Sequence, residues 1–548
     1  MKWTSPSPKT LLCTLLQPLV AATNPPQVLP YAPIFELLTG HKIPNSLNLG
    51  RQAHAHMLLR GLRPTAFVGA KMVAMYASSG DLNSAALTFA HITRPSSLLC
   101  NSIIRAYTVC GNFEKTIEIY FRMHLIGLKA DYFTYPFVLK SCADLSRVGF
   151  GRCVHGQGLR GGWGFDMYIG TSLIDFYVKC GELSDGRRVF DEMPVRDVSS
   201  WNALIAGYMR DGMISYAEDL FGGMEERNVV SWTAMISGYT QNGLGGRALC
   251  LFNEMLEEGS EVKPNWLTVM SVLPACAQSA DLEQGRRIHK FASGVGLDSN
   301  PSVKTALAAM YAKCGSFSDA RFLFMSIPAN KKGLVAWNTM ITAYASHGYG
   351  MEAVSTFEDM IRAGVQPDEI SFTGLFCGCS HSGLVDIGLK YFNCMTAVYS
   401  VEPRRENYAS VVDLLSRAGR LLEAKQLIYQ MPMQAGPSIW GALLAGCRKH
   451  RNLEIAEIAA RNLFVLEPEN SGNYVLLSNM YADVGMWEEV DSLRSLLKAR
   501  GLRKNLGSSW VEINGKTHLF LGGDTSHPDS NKIYLLEAFP EKIKAASY

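Results

Sequence analysis

Residues 201–224 read Trp201-Asn-Ala-Leu-Ile-Ala-Gly-Tyr208-Met-Arg-Asp-Gly212-Met-Ile-Ser-Tyr-Ala217-Glu-Asp-Leu-Phe221-Gly-Gly-Met224. Trp201, Leu204, Ile205 and Tyr208 fall at i, i+3, i+4 and i+7, so they share one face of a helix. Asp211-Gly212 then breaks that helix. Ala217, Leu220, Phe221 and Met224 repeat the spacing and predict a second amphipathic helix. Two short antiparallel helices cannot bury both apolar stripes alone, but stacking on the next hairpin does so, and the core then continues from unit to unit. The Trp and Met residues of these stripes are expected in the core rather than at a cofactor.

The hairpin is not alone. Gly50-Arg-Gln-Ala-His54, Gly151-Arg-Cys-Val-His155 and Gly285-Arg-Arg-Ile-His289 resemble one another, as do Met75-Tyr76-Ala-Ser-Ser-Gly80, Phe176-Tyr177-Val-Lys-Cys-Gly181 and Met310-Tyr311-Ala-Lys-Cys-Gly315. Both sets advance by 101 and then 134 residues. Trp201-Asn202, Trp232-Thr233 and Trp337-Asn338 form a third set. These intervals are sums of units of about 31 to 37 residues, the signature of a solenoid. Met193-Pro194 and Met431-Pro432 fit the ends of second helices, because Pro cannot continue a helix. His54, His155 and His289 recur at equivalent places, which argues for packing or capping.

Length and composition agree. At 548 residues the chain exceeds what one core can serve. Apolar residues at 47% and charged residues at 18% exclude a disordered chain. A net charge of +3 excludes a polybasic binder held mainly by phosphates, though not one that reads bases. The 13 Cys contain no Cys-x-x-Cys, which favours a reducing compartment over a disulfide framework or zinc ribbon. Leu11–Ala22 is broken by Gln17 and Pro18 and is too short to span a membrane. No acidic residue precedes Glu36 in a leader rich in Ser, Thr and Pro, so residues 1–29 are expected to be an organellar transit peptide.

Val229-Val-Ser-Trp-Thr-Ala-Met-Ile-Ser-Gly-Tyr239 and Phe190-Asp-Glu-Met-Pro194 resemble the pentatricopeptide repeat family of plant organelles, in the subfamily that alternates standard, long and short repeats. The Trp-x-x-Leu-Gly-x-x-Tyr pattern of tetratricopeptide arrays is absent. The resemblance implies an all-α, right-handed superhelical α-solenoid of helix-turn-helix repeats over 30–436. A degenerate repeat covers about 30–65; units follow at 66–96, 97–131, 132–166, 167–197, 198–228, 229–265, 266–300, 301–333, 334–368, 369–402 and 403–436. Trp440-Gly-Ala-Leu-Leu444, Asn473-Tyr-Val-Leu-Leu-Ser-Asn479 and Ser509-Trp510-Val511-Glu512 resemble the family's carboxy-terminal E-type extension, assigned to 437–531 as two further hairpins and followed by a tail, 532–548. The extension is close to charge-neutral, a poor phosphate clamp, and so more suited to meeting protein than RNA.

Such arrays bind single-stranded RNA at one base per repeat. In the family the readers are the fifth and last residues of a unit. Asp accepts only and suits a ring N–H of uracil or guanine; Asn can also donate and suits the bare ring nitrogen of cytosine or adenine. The resemblance further implies that a fifth-place Asn goes with pyrimidines and Thr with purines. Asn101 with Asp131 then implies U, Thr171 with Asp197 G, Asn202 with Asn228 C, Thr233 with Asn265 A, and Asn338 with Asp368 U. Thr305 with Gly333 implies a purine and Asn407 with Gly436 a pyrimidine. Ala70/Ser96, Pro136/Asp166 and Met270/Asn300 depart from the code. With RNA running 5′ to 3′ along the chain, the expected target contains U-x-G-C-A-x-R-U-x-Y, its last position four nucleotides before an edited C. The competing reading of any single Asn or Asp here is a helix N-cap.

The deaminase signature His-x-Glu with Pro-Cys-x-x-Cys does not occur, and neither do a phosphate loop, a nucleophile elbow or a His-Glu-x-x-His helix. Cys377-Gly-Cys379-Ser-His381 looks metal-like, but alternate residues do not share a helix face, and no metal or cofactor is expected. Nor does the sequence carry the family's terminal Asp-Tyr-Trp. The resemblance therefore implies a non-enzymatic site-recognition factor for organellar C-to-U editing, in the mitochondrion with the chloroplast as alternative. Its partners would be single-stranded organellar RNA, a deaminase-bearing relative and multiple-site editing cofactors, without a membrane. A stability, splicing or translation factor without editing and a protein-binding helical scaffold are the other readings.

Overall fold

The computed structural model describes residues 31, 33–36, 46–163, 166–257, 262–502, 508–513 and 516–521. The leader 1–29 and the tail 532–548 lie outside them. The chain divides into two compact units, Met1–Leu297 and Asp298–Tyr548.

The first unit is a series of antiparallel helix pairs. In the quoted stretch the helices are Val198–Arg210 and Ile214–Gly223. Leu204, Ile205 and Ala217 are fully buried, as the spacing requires. Gly212 turns the chain between them at φ 75°, a left-handed conformation that strains any residue with a Cβ. First helices of successive repeats pack on one another, Val198–Arg210 against Val229–Gln241 for example, and each second helix packs on its own first. The second unit repeats this from Pro301–Lys313 through Leu421–Gln430.

The two sets of sequence landmarks advance in step because they touch. A Cβ on Gly50 would lie 2.4 Å from the Met75 side chain, and one on Gly151 would lie 2.0 Å from the Phe176 ring. Four residues further on, His54 and His155 place Nδ1 at 2.9 Å from the hydroxyls of Tyr76 and Tyr177. These histidines are internal struts, and burial lowers the pKa of both. A second recurring cluster closes the short repeats. Phe190 meets Trp201 edge-on at 4.8 Å, Phe221 meets Trp232 at 5.4 Å, and Phe324 meets Trp337 at 5.2 Å. Arg196, Arg227 and Lys332 lie over the same Phe rings at 4.8, 4.6 and 4.2 Å. Met193 and Met431 cap the ends of their second helices just before the prolines.

The extension holds four helices, Pro437–His450, Leu453–Leu466, Ser471–Asp483 and Trp487–Ala499. It then departs from the all-α expectation. Ser508–Ile513 and Lys516–Leu521 form an antiparallel pair of strands in which Ile513 faces Lys516. No helix among the described residues is long and apolar enough to cross a membrane.

Candidate nucleic-acid interface

In most repeats the last residue is the N-cap of the following first helix and the fifth residue sits in that helix's second turn; after Asp131 the helix starts late, at Tyr135, with Thr134 as its N-cap. Asp197 caps Val198–Arg210, Asn228 caps Val229–Gln241, Asn265 caps Trp266–Ser279 and Asp368 caps Glu369–Ser382. Capping and pairing are therefore done by one side chain. In the first unit, Asn101 Nδ2 donates to Asp131 Oδ1 and Oδ2 at 2.9 and 3.1 Å. Thr171 Oγ1 donates to Asp197 Oδ1 at 3.0 Å, and Asn202 Nδ2 to Asn228 Oδ1 at 3.4 Å. Thr233 reaches Asn265 through a third group: its hydroxyl is 2.8 Å from that of Thr268, which donates to Asn265 Oδ1 at 3.1 Å. In the second unit, Asn338 Nδ2 donates to Asp368 Oδ1 at 3.0 Å. Among the described residues Thr305 bonds only the carbonyl of Pro301, at 2.9 Å, since Gly333 has no side chain to offer.

Capping fixes which polar atoms remain. Asn228 Oδ1 accepts the backbone N–H groups of Val230 and Ser231 at 3.0 and 3.1 Å, so its amide nitrogen must point away from the helix. That nitrogen makes no hydrogen bond among the described residues, and the Asn265 nitrogen is in the same position. Among the described residues, Asp197 and Asp368 use Oδ1 for their hydrogen bonds and keep Oδ2 as an unengaged acceptor. Burial raises the carboxyl pKa of Asp368, but donation from the Ser371 backbone and hydroxyl, from Asn338 and from the Ile370 backbone outweighs it, and the net pKa is lowered. Asp368 thus stays an acceptor, whereas Asn228 and Asn265 present donors. That is the chemical difference needed to separate a ring N–H from a bare ring nitrogen.

A groove of about 630 Å³ opens beside Asn338 and Asp368, lined also by Val335, Ile370 and Lys313. Val335 and Ile370 are 71% and 58% exposed, and Leu98, Tyr168, Val230 and Leu267 hold the same second place in other repeats and are also exposed. The sequence reading passed over this row of apolar side chains. Its signal is an apolar residue three before most fifth residues, on the same helix face, where no core position is due; Ser199 before Asn202 and Ser302 before Thr305 are polar.

Asn407 does not join the others. The first helix of its repeat is Arg405–Arg417, capped at Arg404, so Asn407 is the third helical residue and not the fifth. It is fully buried. Its Nδ2 donates back to the Glu369 carbonyl and Thr373 hydroxyl at 2.8 and 2.9 Å, and its Oδ1 accepts the Arg404 N–H. Arg404, the last residue before this helix, pairs with Glu369 at 2.7 Å. The repeat therefore begins at 405, its fifth residue is Ala409, and the assignment of a pyrimidine to Asn407 is withdrawn. Cys377, Cys379 and His381 do not converge either. Cys377 Sγ lies 3.6 Å from the Ser410 hydroxyl and His381 Nδ1 lies 2.9 Å from the Ala345 carbonyl, while burial pushes the Cys379 thiol up to about 11.

The pattern of the PPR repeat matches residues 99–128, 171–198, 199–229, 370–397 and 407–434, and that of the PPR repeat family 227–278 and 332–381. The E motif matches 450–512. A pentatricopeptide repeat-containing protein of Arabidopsis thaliana is 44% identical over 484 residues, 88% of this chain and 90% of that one. The chloroplastic pentatricopeptide repeat-containing protein CRR2 of the same plant is 36% identical over 517 residues, 93% and 73% of the two chains. Among solved structures, the maize pentatricopeptide repeat protein PPR10 aligns with a TM-score of 0.51 at 17% identity, over 89% of this chain and 81% of that one.

Proposed function

Because the chain belongs to the pentatricopeptide repeat family, we propose that it is a sequence-specific single-stranded RNA-binding protein. It would select a site for organellar C-to-U editing and recruit a deaminase in trans. The recurring pair of fifth residue and following N-cap carries this reading. Four of the five complete pairs leave one polar group open among the described residues, a donor in Asn228 and Asn265 and an acceptor in Asp197 and Asp368, while Asp131 accepts from Asn101 through both oxygens. PPR10 has been solved with an 18-nucleotide psaJ RNA element, which agrees with single-stranded RNA as the ligand class. At about 1–3 kcal/mol per well-made base contact, five pairs give ample discrimination between transcripts.

In the corrected register the target contains U-x-G-C-A-x-R-U, followed by two unassigned positions facing Thr373/Arg404 and Ala409/Gly436. The E-type extension is the proposed meeting point with the deaminase-bearing relative and the editing cofactors. The mitochondrion is the proposed destination, with the chloroplast, named for two of the relatives, as the other. The test has two arms. Purified protein should bind an RNA of this sequence at least tenfold more tightly than one with the same bases permuted, and equal affinity overturns the RNA reading. Organellar transcripts of a knockout should lose one or a few C-to-U edits downstream of such a sequence. Intact editing with altered transcript ends or splicing would replace the editing role by one in RNA stability or splicing.

A further inference from the structure

The fifth-place Asn residues differ in step with the residue that ends the repeat, which is Asp131 or Asp368 in two cases and Asn228 in the third. Asn101 and Asn338 are both engaged at both ends of the amide. Nδ2 points to the carboxylate of Asp131 or Asp368, and Oδ1 accepts a hydroxyl proton from Thr134 at 2.7 Å or Ser371 at 2.5 Å. Thr134 and Ser371 are the third residues of the following repeats, and both are fully buried. Each hydroxyl also lies by the Asp, at 3.0 Å from Asp131 Oδ1 and 2.8 Å from Asp368 Oδ1. A hydroxyl has one proton, and in both repeats the Asn contact is the shorter. In the Asn202 repeat the equivalent hydroxyl of Ser231 bonds Asn228 Oδ1 at 3.2 Å instead. Asn202 Oδ1 is left buried with no partner among the described residues.

We propose that Thr134 and Ser371 are positioning residues for base selection: each latches the amide of Asn101 or Asn338 from the next repeat, so that the amide nitrogen stays on the Asp carboxylate. This inference rests on the RNA reading proposed above. With the nitrogen held there, Oδ1 of Asp368 is engaged by the protein and Oδ2 keeps a fixed direction towards a uracil N3–H, while at Asp131 the amide spans both oxygens and the acceptor is the second lone pair of Oδ2. One base is then selected by three side chains drawn from two repeats. Removing the hydroxyl leaves a buried amide oxygen without a donor, and the amide swings out of line. The Asn202–Asn228 repeat works without the latch, because its selective group is the Asn228 amide nitrogen, and the cap bonds hold that nitrogen in place.

The test compares affinities of the full chain for RNAs carrying U or C at a single position. Thr134→Val should lower the U-over-C preference at the position of Asn101 roughly tenfold, the size of one buried hydrogen bond left unmade. The preference for G at the position of Thr171 should stay within twofold. Ser371→Ala should do the same at the position of Asn338, in the other unit, so the inference does not depend on one variant folding. Thr134→Ser should restore the preference. Ser231→Ala should leave C over U at the position of Asn202 within twofold. Unchanged U-over-C ratios in Ser371→Ala and Thr134→Val, or equal losses at every position, overturn the latch. Equal affinity of the unsubstituted chain for U and C would instead overturn the RNA reading beneath it.

Discussion

Asp197 Oδ1 lies 3.0 Å from the Thr171 hydroxyl, whose one proton it shares with the Met167 carbonyl at 2.9 Å, and accepts the backbone N–H of Ser200 at 2.9 Å. One oxygen atom thus closes one repeat and starts the next. The helix cap and the base reader proposed above are compatible roles for such a residue, because the cap bond fixes the direction of its remaining polar atom.

Asp197→Asn keeps an N-cap of equal quality. It should leave the melting temperature within about a degree and shift the preference at that position from G to A by roughly 5- to 150-fold, the equivalent of ~1–3 kcal/mol. Asp197→Ala should also lose the cap, at a cost of about 1 kcal/mol. Binding titrations with G- and A-bearing RNAs and thermal melts of the three proteins separate the two effects.

Phe221→Ala removes the ring that Trp232 and Arg227 pack against. The loss should be ~3–5 kcal/mol. In a repeat array such a loss stays local, so hydrogen exchange should rise in residues 214–241 and remain near wild type around Tyr76.

Gly151→Ala would drive a Cβ into the Phe176 ring, which is fully buried. Overpacking of this kind costs about 1–3 kcal/mol. Phe176→Leu in the same chain should recover part of it, and chemical denaturation of the single and double variants reads the coupling.

His54 and His155 are held neutral by burial, with folded pKa values below the ordinary 6.5. The unfolded chain then binds protons more readily, so stability is complete above pH 6.5 and falls as the pH drops from there through the folded value. The melting temperature should decline between pH 7.5 and 5, and His155→Gln should flatten that decline.

The repeat architecture was legible because its cause is local. The i, i+3, i+4, i+7 stripes, the turn at Gly212 and the Gly-to-aromatic and His-to-Tyr contacts between adjacent helices all lie within one or two units of sequence. Asn101, Thr171, Asn202, Thr233 and Asn338 were placed by counting from such landmarks. Counting failed at Asn407 because the second helix before it, Val385–Tyr399, runs to 15 residues, against 10 for Leu183–Glu192, and ends in a left-handed Ser400. The next helix starts two residues late. The strand pair after residue 507 had a signal too. Asn514-Gly515 between alternating apolar residues is a strong hairpin sequence, and the expectation of further helices hid it. The hydroxyls of Thr134 and Ser371 could not be singled out, since Ser and Thr follow caps for helical reasons alone.

Because a helix start accepts Asn and Asp alike, the choice between them is nearly invisible to folding. The two amino acids are also separated by a single transition in the first codon base. Under the proposed base reading, a lineage can therefore retune one letter of the preferred RNA in one genetic step, without passing through an unstable intermediate. Drift in the target can then be followed by the protein at the pace of ordinary point mutation.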